Sequence, residues 1–174
     1  MSDLGNLYQD LILDHAKRPQ GRVLLVEPTA SSHQINPTCG DEVTVTVQLD
    51  GDTITAFGWE GHGCAISQSS ASFLSLLVTG RSVDEVRALI AEFREVIRSR
   101  GTLELDEERF GDAIALNGVS RYSARVKCAM LAWVALEDAL GKFGASQRPP
   151  RGGSVSSTDA GRPLQGSSLA STAP

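Results

Sequence analysis

Asn36-Pro37-Thr38-Cys39-Gly40-Asp41-Glu42 runs directly into Val43-Thr44-Val45-Thr46-Val47-Gln48-Leu49, and these fourteen residues decide how the chain is read. Val43, Val45, Val47 and Leu49 alternate with polar Thr44, Thr46 and Gln48, the period of a strand with one buried face. Asp50-Gly51 is a hairpin turn signal, and Thr53 to Trp59 supplies a return strand. Upstream, Ser31 to Ile35 is a third, weaker extended segment. In the turn itself a thiol and a carboxylate stand two residues apart, and Cys39 and Asp41 share the odd parity of the valines. If that phase survives Gly40, both side chains emerge at the end of the apolar face, where a helix layer would cover them.

Around this hairpin the pattern changes to helical. Leu4, Leu7, Tyr8, Leu11 and Ile12 recur at helical spacing and end at Arg18-Pro19-Gln20-Gly21, an amphipathic helix whose apolar stripe is expected to face the core. His15, near its end, reads as a residue favoured by the helix dipole, with no catalytic role. After Gly61-His62-Gly63, Cys64 opens a small-residue helix over Ala65 to Val78, with His62 read as a loop surface residue. Ser82-x-x-Glu85 is a capping box for a helix to Arg100. Gly101 to Gly118 reads as a turn and a short helix. Ser123 to Gly144 is a final helix with Cys128 in its first turns.

The 174 residues thus divide into a single domain, 1–145, and a tail, 146–174, of Ser, Gly, Pro, Ala and Arg. The tail has too little apolar surface to offset the entropy of ordering and is expected to be flexible. The net charge is −5, and residues 1–145 carry 13 basic against 20 acidic side chains. That balance argues against nucleic acid as a partner and is compatible with docking onto a basic protein face. No apolar run reaches the ~20 residues of a bilayer span, and Met1-Ser2-Asp3-Leu4 opens no signal peptide. The expected location is cytoplasmic.

Three cysteines are an odd number for a disulfide framework and point to metal binding or thiol chemistry, with small buried hydrophobes as the alternative. Cys64 and Cys128 both sit near helix starts, where backbone N–H groups favour a thiolate. Together with Cys39 and Asp41 they form a plausible tetrahedral zinc set, Cys39, Asp41, Cys64 and Cys128. The spacing is not that of a zinc finger.

The residues Asn36-Pro-Thr-Cys-Gly-Asp41, Gly61-x-Gly-Cys-Ala-Ile-Ser67 and Arg125-Val-Lys-Cys-Ala-Met-Leu-Ala-Trp133, preceded by Leu7-Tyr8-x-x-Leu-Ile-Leu-Asp-His15, resemble the U-type iron–sulfur cluster assembly family. That family takes in IscU, the NifU N-terminal domain and SufU. The similarity spans residues 4 to 143 and is greatest to the SufU branch, which has a long segment between the second and third cysteine motifs. Lys127 stands where the scaffold branch has a histidine.

The resemblance implies an α+β fold, a small antiparallel three-stranded sheet with helices packed on one face. It also implies a Zn2+ site at Cys39, Asp41, Cys64 and Cys128. The implied function is that of a zinc-dependent sulfurtransferase accepting persulfide sulfur from a SufS-type, PLP-dependent cysteine desulfurase and serving SufBCD-type assembly proteins. On this analogy a partner histidine replaces Cys39 on the metal and frees it as the acceptor. Arg125 is the second candidate catalytic residue, orienting Asp41 or the incoming group, with an ordinary surface arginine as the alternative. Two further functions stay open: a scaffold that assembles a transient Fe–S cluster on the same cysteines, and a purely structural zinc module.

Overall fold

The computed structural model describes residues 3–148; the expected tail lies outside the described residues, apart from its first three. The element order is α1 (Asp3–Lys17), β1 (Ala30–Ile35), β2 (Glu42–Asp50), β3 (Thr53–His62), α2 (Ala65–Val78), α3 (Val83–Arg98) and α4 (Glu107–Phe110). A 3-10 helix (Gly111–Arg121) and α5 (Ser123–Gln147) follow, so the last helix passes the expected domain boundary by two residues.

The sheet is three-stranded and antiparallel in the order β1-β2-β3. Gly51, at φ +60°, makes the tight turn between β2 and β3, a conformation that glycine adopts without steric cost. Val43, Val45 and Val47 are buried against the helix layer, as their alternation requires. α5 lies on β1 and β2 while α2 covers β3, so the fold is α+β with the helices on one face. The segment after α1 closes the free edge of β3: Trp59 N donates to Gly21 O at 3.0 Å, and Trp59 Nε1 donates to Gln20 O at 2.9 Å. A covered edge cannot template unwanted strand pairing.

The core centres on Trp133 of α5. Its ring stacks on Phe93 of α3 with centroids 3.8 Å apart and planes 7° from parallel. Its Nε1 donates to Ser70 Oγ at 3.0 Å, and Ser70 in turn donates to Ala129 O at 2.6 Å. The small residues of α2 are what let α1 and α5 approach it, and the serines among them are buried. Among the described residues, no buried side-chain nitrogen or oxygen lacks a hydrogen-bond partner. The Ser82–Glu85 capping box forms with both reciprocal bonds.

Three expectations are corrected. Leu4 and Leu7 of α1 are 60% and 58% exposed, so only Tyr8, Leu11 and Ile12 of the apolar stripe pack on the core. The reason is that α1 rests along α2 and the 3-10 helix through its later turns, residues 3–7 at its start all being exposed. His15 lies in the last turn of α1 but is more than a residue favoured by the helix dipole. It is buried, with Nδ1 2.7 Å from Ser72 Oγ, and burial holds its pKa below the ordinary histidine value against the partial opposition of Asp112 and Asp14. β3 runs on to His62, which therefore ends a strand, with Nε2 3.1 Å from Glu42 Oε1.

Candidate metal centre

The Cys39 turn is tied by one residue. Asn36 is buried, its side-chain Oδ1 accepts from Thr38 N at 3.1 Å, its carbonyl accepts from Gly40 N at 2.8 Å, and its N–H donates to Asp41 O at 2.8 Å. An Asx turn of this kind closes the chain locally. Gly40 sits at φ +75°, in the left-handed region, so the extended phase does not survive it: β2 starts at Glu42, and a turn rather than strand parity presents Cys39. Cys39 is exposed as a result, whereas Asp41 stays on the buried side at 4% exposure.

Cys64 is the N-cap of α2, in extended conformation. Its N–H donates to Asp41 Oδ1 at 3.2 Å, and its thiol lies 3.5 Å from Asp41 Oδ2. The preceding Gly63 makes this possible, because a Cβ there would come within 2.5 Å of Asp41 Cγ. Burial works to raise the pKa of Asp41. Hydrogen bonds from the thiols of Cys39, Cys128 and Cys64, and from the Cys64 amide, outweigh it and hold the carboxyl below its usual value.

Cys128 enters from α5 and is only 3% exposed. Its Sγ lies 3.8 Å from Cys39 Sγ. Burial pushes its pKa well above the usual thiol range, and its thiol neighbours and Asp41 add to the rise. Cys39 Sγ, Cys128 Sγ and a carboxylate oxygen of Asp41 all lie within 4.8 Å of one another, with Cys64 joined to the group through Asp41.

The fit of this donor set to zinc can be tested on its spacings. Sulfurs bound at 2.3 Å to a tetrahedral ion stand about 3.8 Å apart, and a sulfur and a carboxylate oxygen about 3.6 Å. The Cys39–Cys128 separation of 3.8 Å and the Cys64–Asp41 separation of 3.5 Å match two edges of such a tetrahedron, whereas the Cys64 thiol lies outside the 4.8 Å cluster of the other three donors and would have to close in on the ion. A disulfide needs sulfurs at about 2.05 Å, and all three cysteines are free.

Of the four residues expected at the site, Cys39, Asp41 and Cys128 come together, and Cys64 adjoins them through Asp41. Arg125 does not join them: it lies on the exposed face of α5's first turn, lining a 610 Å³ pocket with Cys64, Tyr8 and Tyr122. Its side chain has no hydrogen bond or ion pair among the described residues, so it does not hold Asp41. Asn36 and Gly63 are the structural residues that sequence reasoning passed over. Their signals were an Asn-Pro turn and a Gly-x-Gly flanking Cys64, and each was legible as a turn but not as a support for Asp41.

The model of the NifU-like N-terminal domain matches residues 7–129. The chain belongs to the NifU-like N-terminal domain family. Among relatives of this NifU-like protein, the "zinc-dependent sulfurtransferase SufU" of Bacillus subtilis is 36% identical over 142 residues, 81% of this chain and 94% of the relative. The "iron–sulfur cluster assembly scaffold protein IscU" of Streptococcus pyogenes is 36% identical over 149 residues, 84% and 91% of the two chains. The NifU-like protein of Brucella abortus superposes with a TM-score of 0.73 at 27% identity, covering 83% of this chain and 99% of its own. FiSufU of Fervidobacterium islandicum AW-1 does so at 0.69 and 33%, covering 75% and 94%. The family is one of iron–sulfur cluster assembly proteins, and its fold is the three-stranded sheet with helices described above. Among the described residues no helix is long and apolar enough to cross a membrane.

Proposed function

We propose that this NifU-like protein is a zinc-dependent sulfurtransferase that takes persulfide sulfur from a SufS-type cysteine desulfurase in the cytoplasm and passes it on to SufBCD-type assembly proteins. The observation that carries this reading is an asymmetry. Cys39 and Cys128 approach one point at 3.8 Å, yet Cys39 is exposed on a turn while Cys128 is buried on a helix. The similarity to a relative named as a zinc-dependent sulfurtransferase agrees with it.

Cys39, Asp41, Cys64 and Cys128 are the residues that would hold the ion. Zinc there would supply the Lewis acidity that keeps thiols deprotonated at neutral pH. In the transfer step the Cys39 thiolate attacks the outer sulfur of the donor's cysteine persulfide. A new S–S bond forms on Cys39, the donor's S–S bond breaks, and the electron pair leaves with the donor thiolate, so no external oxidant is consumed. Asp41, fixed by the Cys64 amide, stays in place while Cys39 reacts. Arg125, which has no ion-pair partner among the described residues and lines the pocket beside Cys64, would meet a carboxylate of the incoming group.

The experiment is desulfurase turnover with and without this protein. Wild-type protein raises the rate, and Cys39→Ser or alkylation of Cys39 returns it to the basal value; full stimulation by Cys39→Ser contradicts the proposal. A second reading, the cluster scaffold, is favoured by the naming of relatives in Streptococcus pyogenes and Thermotoga maritima as scaffold proteins. It expects a stable cluster after anaerobic reconstitution, transferable to an apo-protein, with no effect on desulfurase turnover.

A further inference from the structure

Against the turn that carries Cys39 lies a second concavity, a groove of about 780 Å³. One wall is the turn itself, through Asn36, Pro37 and Thr38; the other is α5. Its apolar lining comes from Ile35, Val126, Met130, Leu131 and Val134, of which Ile35 is more than half exposed. Four cations surround it: Arg98 at the end of α3, Arg100 just after, Arg121 at the end of the 3-10 helix, and Lys127 on α5. No carboxylate lines it.

That concentration runs against the composition of the protein, in which acidic side chains outnumber basic ones. Elsewhere Arg18, Arg22, Arg94, Arg109 and Lys142 each meet an aspartate or glutamate, while Lys17, Arg81, Arg87, Arg125 and Arg148 stand apart from one another without an ion pair among the described residues. None of the four groove cations has an ion-pair partner among the described residues. Arg121 lies across Gly101, whose φ of +84° itself calls for glycine and whose missing Cβ leaves room for the arginine, with 2.9 Å from an ideal Cβ to Arg121 Cγ. Clustered like charges repel one another and are tolerated where a partner of opposite sign completes them.

We infer that this groove docks an acidic, apolar-edged polypeptide segment of the persulfide donor, setting the donor's sulfur against Cys39. The apolar floor gives such a segment a surface to bury, and the rim of four cations selects its charge and steers its approach. Continuity with the Cys39 turn is what makes the donor the occupant. The tail of this chain is a poor competitor, because residues 146–174 hold three arginines and one aspartate. The inference rests on the persulfide-acceptor reading.

The test uses the full chain with its desulfurase. The double reversal Arg98→Glu/Arg121→Glu is compared with Arg98→Lys/Arg121→Lys and with Lys17→Glu on α1, folding being checked by circular dichroism. The reversal is expected to raise the KM for this protein in stimulated turnover, and the Kd from calorimetry, on the order of tenfold, with kcat at saturation retained. The lysine pair and Lys17→Glu stay near wild type, and the wild-type KM rises with salt more steeply than the reversal's. An unchanged KM for a folded reversal, or an equal loss in Lys17→Glu, overturns the inference. Self-association that the reversal abolishes assigns the groove to a second copy and overturns it as well. Should Cys39→Ser keep full stimulation while the reversal still weakens binding, the persulfide reading fails and the docking surface stands; the opposite pattern sinks the docking surface alone.

Discussion

Cys39 and Cys128 are 89 residues apart in sequence and 3.8 Å apart at their sulfurs, yet one thiol is exposed on a turn and the other buried in a helix. Metal removal exposes this difference. In the chelated protein, iodoacetamide is expected to modify Cys39 first and Cys128 last. Cys128 reacts at least about tenfold more slowly, because burial both blocks access and pushes its pKa up, cutting the thiolate fraction. A time course of peptide masses checks the order. Equal rates at the two sites in folded protein contradict it.

Gly63 is expected to be as important to the centre as a ligand. A methyl group there meets Asp41 Cγ at 2.5 Å and Ser67 Oγ at 2.6 Å, both tied to the cap of α2. In Gly63→Ala either the carboxylate or the helix start must shift. Zinc affinity, measured by competition with a chromophoric chelator, is expected to fall about 10- to 100-fold while far-ultraviolet circular dichroism is kept. Wild-type affinity in this variant would show that Asp41 is not held where the structure has it.

His15 predicts a pH dependence away from the metal centre. Burial lowers its folded-state pKa, so the unfolded chain binds the proton more readily. Its stabilising contribution is therefore complete above the ordinary histidine pKa of about 6.5 and is lost as pH falls through and below that value. Thermal melts of the metal-free protein should show a falling Tm over that window. His15→Phe, which can still lie against Phe73 but has nothing to protonate, should flatten this part of the profile.

The cap of α3 provides a prediction of stability alone. Ser82→Ala removes the hydroxyl that accepts from Glu85 N and leaves that amide without its cap. The expected cost is about 1 kcal/mol, read as a fall of about 2–4 °C in Tm. Desulfurase stimulation at room temperature should be unaffected, since the cap lies outside the cysteine cluster.

The sheet was legible because its signals are local: the valine alternation of β2 and the Asp50-Gly51 turn fix strand, face and hairpin together. The capping box and the helix carrying Cys128 were legible for the same reason. What could not be read were features set by a neighbour. The exposure of Leu4 and Leu7 depends on where α1 runs out of partners, and the burial of His15 depends on Ser72, 57 residues away. At the centre, the donor types were visible but their route was not. Strand parity was the wrong reason for Cys39, because Gly40 takes a positive φ and breaks the phase. Arg125 illustrates the opposite limit: its place near Cys128 left open orienting Asp41, orienting an incoming group and an ordinary surface position, and its side chain is exposed on the helix with no bond to Asp41 among the described residues.

The most direct test of the central claim is the mass of the Cys39 peptide after the zinc-loaded protein is incubated with the desulfurase and L-cysteine under non-reducing conditions. The account predicts a gain of about 32 Da, one sulfur atom, on the peptide containing Cys39 and none on those containing Cys64 or Cys128. An unmodified Cys39 under conditions of desulfurase turnover, or an adduct confined to Cys64 or Cys128, would contradict it.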